Sequence, residues 1–209
     1  MTPRLRTLGI GALIALGVLT GPPHTARAAS SKSRARATFA GGCFWSMEAP
    51  FDQVSGVVST TSGYAGGKEP SPSYDQVASG ATGHAEAVQV VFDPAKISYE
   101  KLLAVFWRNI DPFDAGGQFC DRGRQYRTAI FYETEEQRLA AVASKESIEA
   151  QGRLPAPIAT EIAPLPAFYP AEAEHQDFYQ RNMARYWSYR AGCGRDRRLK
   201  EIWGEAAGK

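Results

Sequence analysis

Residues 35–54 read ARATFAGGCFWSMEAPFDQV. The first eight form a short strand that runs into two glycines. From Cys43 the spacing changes: Phe44, Met47 and Phe51 fall at i, i+3 and i+7, the period of a helix. Pro50 interrupts that period, so the helix is predicted to be short or kinked. A cysteine therefore stands where a strand ends and a helix begins. There, unpaired backbone N–H groups and the helix dipole favour an anion and should lower a thiol pKa toward neutrality. The same position also suits a buried cysteine in an apolar turn, and position alone leaves both readings open.

Outward from this stretch, 56–67 reads as a strand ending in a turn. Residues 68–83 are rich in Gly, Pro and Ser and read as loop, with at most a turn of helix near Tyr74. HAEAVQVVFDP (84–94) alternates like a strand, and SYEKLLAVFWRNI (98–110) is an amphipathic helix with Ser98 as N-cap. A second loop (111–125) leads to a strand at 126–133. A helix at 134–150 follows, capped by Thr134 with Gln137 at the capping-box spacing. A strand is expected at 156–164 and a helix over 171–187, with an irregular tail from Tyr189 until RDRRLKEIWG. Strands and helices alternate through several hairpin-like or long connections. That order predicts an α+β domain, a mixed or antiparallel sheet with packed helices. The two long loops are where sites are expected.

The chain has 209 residues, 44% of them hydrophobic, enough for one core. Its start is a leader: Arg4 and Arg6, an apolar run near 8–19, a Gly-Pro-Pro break, then Ala26-Arg27-Ala28 as a cleavage signal. The run is short for a membrane span. Residues 1–28 are thus expected to be a cleaved secretory signal, 29–37 a polar lead-in, 38–190 the catalytic domain and 191–209 a C-terminal tail. Export to an oxidising compartment follows, with the periplasm expected and no stable membrane association after cleavage. Losing Arg4, Arg6 and Arg27 takes the formal charge from +2 to −1, which argues against nucleic acid as a partner.

Three cysteines remain, Cys43, Cys120 and Cys193, with no C-x-x-C. An odd number leaves a thiol unpaired or available for exchange. On the strand at 84–94, His84 and Glu86 share one face. A carboxyl in apolar surroundings holds its proton to higher pH and can act as an acid, although a rim carboxylate would read the same. Tyr74 in the first loop, and Asp121 and Tyr126 in the second, complete the candidates. A Cys–His hydrolase using His84 or His175 lacks a recognisable signature. A redox-inert, secreted peptide-binding module gripping through Tyr64, Tyr74 and Trp45 is the alternative of another class. Ligand spacing for a metal is absent apart from His84-x-Glu86, so neither metal nor cofactor is expected.

GGCFWSME, SGYAGGKEPSPSYDQVASGATGHAEAVQVVFDP, ISYEKLLAVFWRNIDP and DRGRQYRTAIFY, in that order, resemble the A-type peptide-methionine sulfoxide reductases. The likeness runs from about Thr38 to Tyr179. It implies a ferredoxin-like α+β fold in which Cys43 attacks the sulfoxide sulfur of the S epimer. Phe44 and Trp45 would hold the substrate methyl group. Tyr74, Glu86 and Tyr126 would bind the oxygen, with Glu86 giving the proton, and Asp121 would order the loop. The resulting sulfenic acid would be resolved by Cys193, with Cys120 the lesser candidate, and the disulfide reduced by a thioredoxin-like protein. Substrates would be proteins or peptides carrying methionine sulfoxide, and the chain a monomer. Two departures stand out: Ser46, where many members have Gly, and Cys120 itself.

Overall fold

The computed structural model describes Met1, residues 34–151 and residues 156–208. Apart from Met1, the expected leader and the lead-in to residue 33 lie outside the described residues.

Strand β1 (Ala35–Gly41) leads through two glycines into helix α1 (Phe44–Asp52). Then come β2 (Val57–Ala65), α2 (Tyr74–Ala78), β3 (Ala85–Phe92) and α3 (Tyr99–Arg108). A two-residue-stranded hairpin, β4 (Gly117–Gln118) and β5 (Asp121–Arg122), precedes β6 (Thr128–Tyr132) and α4 (Glu135–Glu149). The chain closes with β7 (Glu161–Pro164), β8 (Phe168–Pro170), α5 (Phe178–Arg181), α6 (Met183–Gly192) and α7 (Arg195–Trp203). The main sheet runs β7-β6-β1-β3-β2-β8. All its pairings are antiparallel except β6 with β7, so the sheet is mixed and the α+β expectation holds.

Strand alternation decides which side chains meet the helices. On β3, Glu86, Val88, Val90 and Phe92 share one face, while Ala85 and Ala87 point to the other. The first face carries the main core, with Phe39 of β1 stacked on Phe51 of α1 at 5.2 Å and on Phe106 of α3 at 5.1 Å. The opposite face is lined by Ala40, Ala65, Ala85, Ala87, Ala129 and Phe131, and Leu165 and Phe168 pack against it. Small residues there leave room for Leu165 and Phe168, at the ends of the β7–β8 connection, to pack against this face.

Ser98 and Thr134 cap α3 and α4 by accepting the N–H groups of Lys101 and Gln137, as their spacing predicts. The expected turn of helix at Tyr74 is α2, closed by a reciprocal capping box of Ser73 and Gln76. The second loop holds the β4–β5 hairpin, too short to leave an alternating pattern. The expected helix over 171–187 is broken instead. Asp177 has φ +52, and its N–H donates to Glu48 Oε2 of α1 at 3.0 Å. Gln176 meanwhile bonds both backbone groups of Ser62 at 2.9 Å. A buried carboxyl on another helix thus dictates the kink, which local sequence does not reveal. The tail is not irregular: α6 continues through Tyr189 to Gly192, and α7 starts three residues later. Among the described residues, no helix is long and apolar enough to cross a membrane.

Glu48 is buried, and Oε1 has no hydrogen-bond partner among the described residues. Burial, then the neighbouring Asp52 and Asp177, push its carboxyl up to about 8. The folded chain therefore holds this proton more tightly than the unfolded chain. Its stabilising effect is complete below the ordinary glutamate range and is lost as the pH rises through about 8. Glu48→Gln should leave the melting temperature nearly unchanged at pH 5 and raise it by on the order of 5 °C at pH 9. Calorimetry at the two pH values checks this, and an equal shift at both would reject the assignment.

Candidate active site

Two glycines bring the chain from β1 into α1, each for its own reason. A side chain at Gly41 would sit 2.6 Å from Met47 Sδ, and Gly42 has φ +82 with Gln118 packed against its α-carbon. Cys43 is the N-cap of α1 and is 7% exposed. One of the orphan donors of this helix start, the Phe44 N–H, points to Glu86 Oε2 at 3.0 Å. The carboxyl and the nucleophile are thereby fixed on adjacent groups of the same turn.

Glu86 occupies a core position on β3, in register with Val88 and Val90, and is 2% exposed. Burial raises its carboxyl to about 8, against the pull of the Phe44 N–H, and nearby Asp121 adds to the rise. At neutral pH it is a protonated acid. The Cys43 thiol moves opposite to the sequence expectation. Burial pushes it well above its ordinary value, and Glu86 and Asp121 push further. The Tyr189 hydroxyl and the Trp45 N–H draw it partly back. Desolvation outweighs the helix start because the sulfur is enclosed, whereas sequence position reports only the dipole.

Tyr74 opens α2, and its N–H donates to Glu172 Oε1 at 2.8 Å. Glu172 Oε2 accepts from the Tyr64 hydroxyl at 2.7 Å, so one carboxylate ties the first loop to β2. Burial, then Glu86 and Cys43, push the Tyr74 hydroxyl up to about 12. Tyr126 ends a 3-10 turn ahead of β6, and burial followed by Glu86, Tyr74, Asp121 and Cys43 raises it too. Five of the sequence candidates thus share one electrostatic environment. Phe44 is buried, 6.4 Å from the Tyr74 ring and 5.3 Å from His175. Trp45 is half-buried and stacks on Phe178 at 3.7 Å.

Three further residues belong to this cluster, and the sequence reading did not select them for it. His175 lies 4.3 Å from Tyr74, and its Nδ1 accepts the Trp45 indole N–H at 3.2 Å, which leaves its proton on Nε2. Burial lowers its pKa and keeps it neutral. Tyr189 of α6 donates its hydroxyl to Asp121 Oδ2, the same hydroxyl that meets the Cys43 sulfur. It stands one helical turn before Cys193, a spacing that could have signalled a shared face. Arg195 is fully enclosed, bonding the carbonyls of Asn109 at 2.7 Å and Gly41 at 3.2 Å. Ser46 is buried, with no partner for its hydroxyl among the described residues.

The cysteines divide unexpectedly. Cys120 and Cys193 form a disulfide, with α-carbons 4.8 Å apart, while Cys43 is free. The resemblance had implied a Cys43–Cys193 bond. The β4–β5 hairpin, not the nucleophile's turn, is what this structure ties to the α6–α7 elbow.

A groove of about 940 Å³ between α1 and α6 is lined by none of the clustered acids or cysteines. Enclosure and electrostatics, rather than cavity size, mark the site around Cys43.

Residues 35–207 match the family model of peptide methionine sulfoxide reductase. The chain is 50% identical over 174 residues to a peptide methionine sulfoxide reductase MsrA of Bacillus licheniformis, covering 83% of this chain and 96% of that one. It is 52% identical over 170 residues to an MsrA of Halalkalibacterium halodurans, covering 81% and 97%. Among solved structures, reduced Mxr1 of Saccharomyces cerevisiae matches with a TM-score of 0.67 at 34% identity, covering 72% of this chain and 86% of that one. Methionine sulfoxide reductase A of Corynebacterium diphtheriae matches with a TM-score of 0.65 at 31% identity, covering 74% and 77%.

Tyr189→Phe removes the hydroxyl that donates to Asp121 and that, turned to the Cys43 sulfur, steadies the thiolate. Alkylation of Cys43 at pH 8 should slow about tenfold, the worth of one hydrogen bond to a charged group. Timed iodoacetamide labelling with mass mapping checks this, and an unchanged rate would remove Tyr189 from the site.

Proposed function

The chain belongs to the peptide methionine sulfoxide reductase family, and on that premise we propose how its own residues reduce methionine sulfoxide. Glu86, protonated at neutral pH, gives its proton to the sulfoxide oxygen, assisted by the hydroxyls of Tyr74 and Tyr126. Cys43 passes its proton to the Glu86 carboxylate and attacks the sulfur from the opposite side. Its sulfur bonds to the methionine sulfur as the oxygen, protonated a second time by Glu86, departs as water. A water molecule then adds to the Cys43 sulfur as the bond to methionine breaks, and its surplus proton returns to Glu86. Methionine leaves and Cys43 becomes a sulfenic acid. Phe44 and Trp45 wall the methyl group, and Asp121, held by Tyr189, orders the loop. The walls admit one orientation, which selects the S epimer. The observation that carries this reading is the Phe44 N–H bound to a buried carboxyl beside the free cysteine.

Resolution uses both other thiols. Cys193 attacks the sulfenic acid, expelling water and forming Cys43–Cys193. Cys120 then attacks the Cys193 sulfur, releasing Cys43 as a thiol and leaving the Cys120–Cys193 disulfide. An external dithiol of the thioredoxin type restores both thiols. Support for the use of both thiols is that Cys120 and Cys193 are paired while Cys43 is free.

The same reading takes the β1-α1-β2-β3-α3-β6 unit as ferredoxin-like, supported by its strand order β6-β1-β3-β2. It also takes the chain as a monomer and, from the leader features of residues 1–28, as an exported, periplasmic protein that repairs oxidised exported proteins. N-terminal sequencing of the exported protein should then begin at or beside Ala29, and an intact Met1 would contradict cleavage.

Two measurements test the chemistry. Glu86→Gln should slow the first turnover by about 10²–10⁴-fold, the range for loss of a general acid. It should also abolish the fall in rate as the pH passes about 8, where the wild-type acid loses its proton. An unchanged single-turnover rate would reject Glu86. Without reductant, the fully reduced chain should release two methionines: one before the Cys120–Cys193 disulfide forms and one from the freed Cys43. Cys120→Ser should release one, and two from that variant would remove Cys120 from the sequence.

A further inference from the structure

The two sulfurs of the Cys120–Cys193 disulfide are not equivalent. Cys120 lies in the two-residue turn between Gln118 and Asp121, which pair across the β4–β5 hairpin. It is exposed. Cys193 closes α6 just before Gly194 turns the chain into α7, and it is half-buried. Its neighbours on either side of the elbow are committed inward: Tyr189 to Asp121, and Arg195 to the carbonyls of Gly41 and Asn109.

The hairpin turn is held in a fixed attitude. Phe119 has φ +55, a conformation that a bulky side chain rarely adopts. Its ring lies under the Arg195 guanidinium at 4.4 Å. With Phe119 pinned inward, the next residue, Cys120, is left at the outer edge. A thiolate attacks a disulfide along the line of the S–S bond, from the side opposite the leaving sulfur. Attack on Cys120 comes from beyond the hairpin tip. Attack on Cys193 would have to come from the α6–α7 side of the bond. The two helix ends at Cys193 carry opposite dipoles and so give neither sulfur a clear advantage. Access decides between them.

We propose that Cys120 is the port through which an external dithiol reductant enters, and that Cys193 is the leaving thiolate. This rests on the reductase reading above. The reductant's thiolate bonds to Cys120 Sγ as the Cys120–Cys193 bond breaks, and the electron pair departs with Cys193. The reductant's second thiol then attacks its own sulfur in the mixed disulfide. This releases Cys120 as a thiol and carries the two electrons' worth of oxidation away as the reductant's disulfide. The outer sulfur is held by the partner while the inner one, on the helix that also bears Tyr189, is freed first. That is the thiol the catalytic cycle needs next at Cys43. The partner is a protein with an exposed, low-pKa thiol and a second thiol behind it, able to fit around a protruding two-residue turn.

The test uses the full chain with its Cys120–Cys193 disulfide formed. It is mixed briefly with glutathione, and separately with a thioredoxin whose second active-site cysteine is changed to serine. The reaction is quenched in acid, free thiols are alkylated, and the mixed disulfides are located by proteolysis and mass spectrometry. At the earliest times the adduct on Cys120 should exceed that on Cys193 by roughly tenfold or more, since exchange follows access to the attacked sulfur. A majority on Cys193, equal labelling, or no adduct with either probe would overturn the proposal. Sulfoxide consumption driven by dithiothreitol is measured on the same preparation. Its absence would count against the reductase reading alone, because the adduct position does not depend on turnover.

Discussion

A carboxyl in a position built for a hydrophobic residue organises this molecule. Glu86 sits on the helix-covered face of β3, in step with Val88 and Val90, where charge is costly. The cost is limited by keeping the proton and by accepting one N–H from the first residue of α1. That bond fixes α1 against the sheet and places Cys43 beside the acid. The two glycines then become necessary, because nothing larger fits between the end of β1 and this turn. Acid and nucleophile are therefore held by the same contact, and neither can be moved without the other.

The surrounding groups divide into a rigid and a redox-linked part. The rigid part is a set of carboxyl straps: Glu172 joins Tyr64 to Tyr74, and Glu48 holds the Asp177 turn that presents His175 and Phe178 to Trp45. The redox-linked part is the β4–β5 hairpin with the α6–α7 elbow, joined by the Cys120–Cys193 disulfide, by Asp121 with Tyr189, and by Phe119 under Arg195. Through Tyr189 this second assembly reaches the Cys43 sulfur. The oxidation state of the disulfide and the environment of the nucleophile are thus mechanically adjacent, whatever the order in which the thiols react.

Much of this is legible in the sequence because it is local. Cys43 at the strand–helix junction, Glu86 in an apolar alternation and the caps at Ser98 and Thr134 each depend on residues within one turn or one strand. What is not legible comes from distant contacts. The kink at Asp177 is set by Glu48, more than a hundred residues earlier. The raised Cys43 thiol follows from enclosure, which the helix-start argument does not include. The Cys120–Cys193 pairing needs the hairpin to meet the elbow, and a hairpin of two-residue strands has no periodicity to announce it. His175 enters the sequence reading only as a hydrolase candidate without a signature, although it lies among Phe44, Trp45 and Tyr74.

The protonation state of Glu86 is the point on which the chemistry turns, and infrared difference spectroscopy reads it directly. The spectrum of the wild-type chain minus that of Glu86→Gln isolates this carboxyl from Glu48 and the other buried acids. Glu86 should give a protonated carboxyl band at neutral pH that disappears as the pH passes about 8. A difference spectrum showing only an ionised carboxylate at pH 6 and above would mean that Glu86 has no proton to give, and the acid at the centre of this site would have to be sought elsewhere.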